Sequence, residues 1–142
     1  MRAYDLAAES ADRAAERAPG DADAWERVGR LRLQLMQREA ALDALERARR
    51  LGPSLDGLLD LALVFHLSDD VGGEVSATEQ ATALYPGSVE AWTRRAFALA
   101  RTDLITEGIL AAEKARDLGA GAEVEELLVR LRDAQPRVLP AA

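Results

Sequence analysis

Apolar residues recur every three or four positions along this chain, in stretches of about a dozen residues separated by breaks rich in glycine and proline. Trp25, Val28, Gly29, Leu33 and Leu35 mark one stretch, and Ala41, Leu42, Leu45 and Ala48 mark the next. Leu58, Leu61, Ala62 and Phe65 follow, with Val75, Ala77 and Ala81 beyond the break at Ser68–Gly73. Trp92, Ala96 and Leu99 then lead through a turn at Thr102-Asp103 to Ile109, Ala112 and Ala115. This spacing predicts helices arranged in pairs. Each pair closes on a breaker: Leu51-Gly52-Pro53, Tyr85-Pro86-Gly87 or Leu118-Gly119-Ala120-Gly121. Proline cannot continue the preceding helix, and glycine accepts the left-handed conformation that ends one.

The ends extend the pattern. Ala7, Ala11 and Ala14, followed by Pro19, reproduce a second-helix stripe and its terminator, so residues 1–20 read as half a pair. Val124, Leu127, Leu128 and Leu131 share one face opposite a charged one, predicting a capping helix within 122–135. The expectation is one all-α domain over 1–135 with about eight helices, pairs at 21–54, 55–87 and 88–121, and a flexible tail at 136–142.

The breaks are periodic. Pro19, Pro53 and Pro86 stand at successive steps of 34 and 33 residues, and Trp25 and Trp92 each follow a proline by six. Leu58 is the counterpart after Pro53, one residue early. With these markers the chain resembles the tetratricopeptide repeat, whose pattern is W-x₂-L-G-x₂-Y, then A-x₃-F, then P. The first unit supplies Trp25, Val28, Gly29, Ala41, Leu45, Ala48 and Pro53; the second Leu58, Leu61, Ala62, Phe65, Ala81 and Pro86; the third Trp92, Ala96, Leu99, Gly108, Ala112 and Ala115. Departures stand at Arg32 (an aromatic is expected), Glu74 (a small residue), Arg95 (a leucine) and Ala120 (a proline). Arg32 implies a rotated helix or a stem that snorkels outward, and Glu74 leaves the register of its helix start open. The resemblance implies a right-handed α-solenoid whose concave groove, lined by the first helix of each pair, holds a peptide or partner-protein segment.

Carried over position by position, the resemblance implies a peptide-binding set of Arg27, Arg30, Leu59, Leu63, His66, Leu67, Arg94, Phe97 and Arg101. Asp23, Glu26, Gln34, Asp56, Asp60, Glu90 and Thr93 are among the other lining positions. Arginines at both ends of an apolar floor suit a partner segment with apolar side chains flanked by acidic ones, because the guanidinium fork pairs with carboxylates. With no asparagine and no lysine among these positions, a clamp for a terminal carboxylate is not expected. The alternative is self-assembly, with a second copy covering the unpaired face around Ala7, Ala11 and Ala14.

Composition narrows the function class. Ala, Leu, Glu and Arg dominate, as in stacked helices. A net charge of −7 opposes sequence-independent nucleic-acid binding, which needs a basic surface. The absence of cysteine removes disulfides and thiolate metal sites and fits a cytoplasmic protein. No apolar run suits a membrane span or a signal peptide. His66 is the sole histidine, with Asp69 and Asp70 near in sequence, but no nucleophile is placed beside it. Asp69-Asp70-Val71-Gly72-Gly73-Glu74 lacks the alternating ligands of a calcium loop and the lysine of a phosphate loop. The expectation is a non-enzymatic binding module with no catalytic residues, metal or cofactor.

Overall fold

The computed structural model describes residues 2–136. Apart from its first residue, the expected 136–142 tail lies outside the described residues. Eight α-helices occur among them: α1 (Arg2–Arg17), α2 (Ala22–Gln34), α3 (Arg38–Leu51), α4 (Leu55–Leu67), α5 (Val71–Leu84), α6 (Val89–Ala100), α7 (Ile105–Asp117) and α8 (Ala122–Ala134). The periodicity predicted this all-α helical repeat. None of these helices is long and apolar enough to cross a membrane. Two compact units divide the chain within α5, the first running to Ala81 and the second starting at Thr82.

Local chemistry starts the helices at repeating places. Asp21 accepts from the backbone N–H of Asp23 (3.0 Å), Ser54 from that of Gly57 (3.0 Å) and Ser88 from that of Ala91 (3.1 Å). Each cap satisfies an amide that the helix leaves unpaired. The proline–tryptophan spacing has a cause as well. The Trp25 indole donates to the Pro19 carbonyl (3.0 Å), and the Trp92 indole to that of Pro86 (2.8 Å). Six residues is the span of that bond, which fixes how the chain enters α2 and α6.

Within the first unit, α2 and α3 cross at Gly29. A Cβ there would stand 2.4 Å from Leu45 Cγ. The α4–α5 crossing is as close, because a Cβ on Gly73 would stand 2.4 Å from Phe65 Cδ1. The short turns between paired helices use Met36 and Asp69 in the left-handed region, at φ 59° and 55°. Asp69 lies 33 residues after Met36, the same step that separates the corresponding prolines.

Two cores fill this unit. Ala11 and Ala15 of α1 pack with Trp25, Val28, Ala44 and Ala48, while Ala41 and Leu45 pack with Leu61, Ala62, Val64, Phe65 and Ala77. The buried stripe of α1 is therefore Ala8, Ala11 and Ala15. This corrects the expected stripe: Ala11 belongs to it, but Ala7 and Ala14 are exposed.

The sequence departures are accommodated by specific contacts. Arg32 pairs with Asp12 of α1 and donates to Gln37 Oε1 (2.7 Å), fastening α2 to its neighbour. Glu74 is buried with its carboxylate 3.3 Å from His66 Nδ1, while the adjacent Gly73 makes room for Phe65. Arg49 bridges α3 to α5 through Gln80 (2.6 Å) and Ser76 Oγ (3.0 Å).

The second unit buries Ala96, Leu99, Ile109, Ala112 and Ala115, together with Val124, Leu127, Leu128 and Leu131 of α8. Gly119 ends the α7 region at φ 103°, where a side chain would be strained.

Replacing a helical glycine by alanine ordinarily gains about 1 kcal/mol, whereas overpacking a core costs about 1–3 kcal/mol. At 2.4 Å from Leu45 the overpacking term wins, so Gly29→Ala lowers stability in urea unfolding. In a Leu45→Ala background, where the space exists, the same change becomes neutral or favourable.

Candidate binding faces on the first helices

In the first unit, Asp23, Arg27, Arg30 and Gln34 of α2 are exposed at helical spacing along one face. Arg30 crosses to α4, its Nε donating to Asp60 Oδ2 at 3.2 Å. On α4, Leu63 and Leu67 are half-buried and His66 is exposed. Arg27, Arg30, Leu63, His66 and Leu67 are thus surface groups on the two first helices of this unit. The Leu67 carbonyl at the end of α4 accepts from Arg38 Nη1 at 2.8 Å, which anchors the end of that helix to α3.

Two lining positions are placed differently. Leu59 is only 6% exposed, so it belongs to the core and offers a ligand almost no surface. Glu26, also 6% exposed, accepts from the Ser54 backbone N–H (3.2 Å) and from Ser54 Oγ (2.8 Å). Its carboxylate sits at the start of α4, where amide dipoles favour negative charge. A Cβ on Gly57 would stand 2.3 Å from Glu26 Oε1, so the glycine clears the space for this carboxylate. Glu26 is a fastener between helices.

A cleft of about 360 Å³ adjoins the face, lined by Ala11, Ala14, Ala18, Asp21, Asp23, Ala24 and Arg27. Alanines from α1 and its end make it, because short side chains leave space between α1 and α2. Sequence reading placed Arg27 on a face but did not show this recess beside it.

In the second unit, Arg94 is half-buried and pairs with Glu90 one turn earlier (3.4 Å). Phe97 is half-buried, and Arg101 is the exposed C-terminal cap of α6. No group of three or more His, Asp or Glu among the described residues could hold a metal ion.

The Asp60 carboxyl is electrostatically perturbed. Burial raises its carboxyl above the ordinary value of 3.8, the charge and hydrogen bond of Arg30 oppose the shift, and Asp56 and Glu26 add to it. The ion pair with Arg30 therefore only partly offsets the desolvation of Asp60.

With this geometry established, the chain was compared with known proteins. No family model matches it, and no curated protein does. Solved structures do. The chain is similar to YrrB, described as a TPR protein with an unusual peptide-binding site, at 18% identity and a TM-score of 0.82, covering 94% of this chain and 70% of that one. It is similar to MamA at 15% identity and a TM-score of 0.83, over 92% of this chain and 78% of that one. It is also similar to the first TPR of Spaghetti (RPAP3), solved with the HSP90 peptide SRMEEVD, at 17% identity and a TM-score of 0.72, over 80% and 91%. The chain has the tetratricopeptide-repeat fold.

The Asp60 shift has a definite sign. With a raised carboxyl pKa the folded state holds a proton that the unfolded chain has released, so stability falls as pH rises from the ordinary carboxylate value through the raised one. In urea unfolding, the stability of the native protein relative to Asp60→Asn therefore grows as pH drops through that window. A difference independent of pH would contradict the assignment.

Proposed function

We propose that this protein is a non-enzymatic interaction module that captures an acidic, partly apolar segment of a partner protein on the first-helix face of its first unit. The observation that carries this reading is the Arg30–Asp60 pair beside exposed Arg27 and half-buried Leu63 and Leu67. Arg30 is half-exposed and is held by a carboxylate that is itself poorly solvated. A partner carboxylate can take over the guanidinium, and apolar partner side chains can cover the leucines. The recess beside Arg27 offers room for a side chain at the edge of the face. Similar folds solved with a peptide or described by a peptide-binding site support the reading, and SRMEEVD itself mixes methionine and valine with acidic residues. Arg94, Phe97 and Arg101 of α6 form a corresponding face on the second unit, suited to the same chemistry. No catalytic residue, metal or cofactor enters this function, and the setting that fits it is the cytoplasm.

A second reading, self-assembly through α1, is favoured by one observation. Leu6 is 61% exposed and shares the outward face of α1 with Ala3, Ala7, Ser10 and Ala14. A second copy packed on that face would bury it. Ala11 contributes nothing to such an interface, being already buried against α2.

The readings separate experimentally. Partners captured from a lysate by the native protein are identified, and the bound segment is mapped and titrated. Arg27→Glu with Arg30→Glu abolishes capture while leaving the circular dichroism spectrum intact. Asp60→Asn, which frees Arg30, tightens it by severalfold. Affinity unchanged by both variants would sink the proposed face. For self-assembly, light scattering over a concentration series shows a dimer that Leu6→Glu dissociates; a monomer at every concentration excludes it.

A further inference from the structure

A different surface of the second unit carries its own chemistry. A cleft of about 350 Å³ lies between α6 and α7, lined by Trp92, Arg95, Glu107, Leu110, Ala111 and Lys114. Its position in the repeat corresponds to Trp25, Val28, Ala44 and Arg47 of the first unit. There Val28 is buried with Trp25 and Ala44 against α1, and Arg47 lies over the Trp25 ring at 4.6 Å from its centroid. In the second unit the apolar position is instead Arg95. Its Nη1 is buried and has no hydrogen-bond partner, the single side-chain atom of this kind among the described residues.

Lys114, the only lysine of the chain, lines the same cleft, and neither cation forms an ion pair among the described residues. Leu110, 62% exposed, and half-buried Trp92 provide the apolar wall. A buried guanidinium N–H without an acceptor is costly, and Lys114 adds a second positive charge to the same cleft. A carboxylate is the group that satisfies both, through a charge-assisted hydrogen bond to Arg95 and attraction to Lys114. Glu107 in the same cleft repels a second carboxylate, which selects one acidic residue over an acidic run.

We propose that this cleft docks a partner protein through a single aspartate or glutamate flanked by apolar residues, the carboxylate meeting Arg95 and Lys114 and the apolar neighbours lying on Trp92 and Leu110. The site is independent of the α2–α4 face and gives the module a second point of attachment.

The chain has two tryptophans, so the indole N–H resonances in a nitrogen-15 spectrum report the two environments separately. The probe is the blocked peptide acetyl-Leu-Glu-Leu-amide, compared with its Gln counterpart and with acetyl-Glu-Glu-Glu-amide. The single-glutamate peptide shifts the Trp92 signal saturably and leaves that of Trp25 in place, while the other two peptides bind at least about tenfold more weakly. Arg95→Gln weakens binding by about tenfold. Arg95→Leu, which suits the repeat position and so preserves the fold, abolishes it, while Arg27→Glu with Arg30→Glu leaves it unchanged. An unmoved Trp92 signal at millimolar peptide, or equal shifts from the glutamate and glutamine peptides, would overturn the proposal.

Discussion

The close crossing of paired helices is the constraint on which the rest of the first unit depends. No side chain fits at Gly29 or Gly73 without displacing Leu45 or Phe65, so backbones meet there and the large residues interlock. Once α2 spends one face on α3, its other faces are allotted almost residue by residue. Trp25 and Val28 pack with α1 and α3, and Glu26 turns to the start of α4. Arg27 is left to solvent, Gly29 closes on Leu45, and Arg30 reaches Asp60. The face available for a partner is what the crossings leave over. Its position is fixed as firmly as the core is.

The same arrangement separates two carboxylates that the sequence sets on neighbouring first helices. Glu26 is buried but meets two donors of Ser54, one of them the amide at a helix start, so its contacts are internal and fixed. Asp60 is desolvated too, yet it pairs with a half-exposed arginine, Arg30. Burial outweighs that pairing, so the Asp60 carboxyl stays raised and the guanidinium is left exchangeable. One acid therefore fastens helices, and the other modulates how readily Arg30 engages anything outside.

Much of the architecture was legible because helix stripes and their terminators are local signals, and each was repeated with a period of 33 or 34 residues. The Pro–Trp spacing could be counted, but its cause, an indole donating to the proline carbonyl, belongs to three dimensions. In α1 the alanines are too numerous for the pattern to choose between stripes, and packing selected Ala8, Ala11 and Ala15. In α4 apolar residues run nearly all the way round, so periodicity could not rank Leu59 below Leu63 and Leu67 as a surface residue. The Arg27 and Arg30 face followed from helical spacing alone. The Arg30–Asp60 pair did not, because it joins residues 30 apart in sequence.

A repeat also supplies its own reference, since each position can be judged against its counterparts. Three departures put charge where the pattern wants an aromatic, a small or an apolar residue. Arg32 is answered by Asp12 and Gln37, and Glu74 lies beside His66. These charges are tolerated because the fold provides opposite charge or a hydrogen-bond partner at the same place. Arg95 has no such answer within the described residues, although its counterpart Val28 shows that the position packs well when apolar. A compensated departure explains itself through the fold, whereas an uncompensated one directs attention outward, to a group the chain does not itself contain.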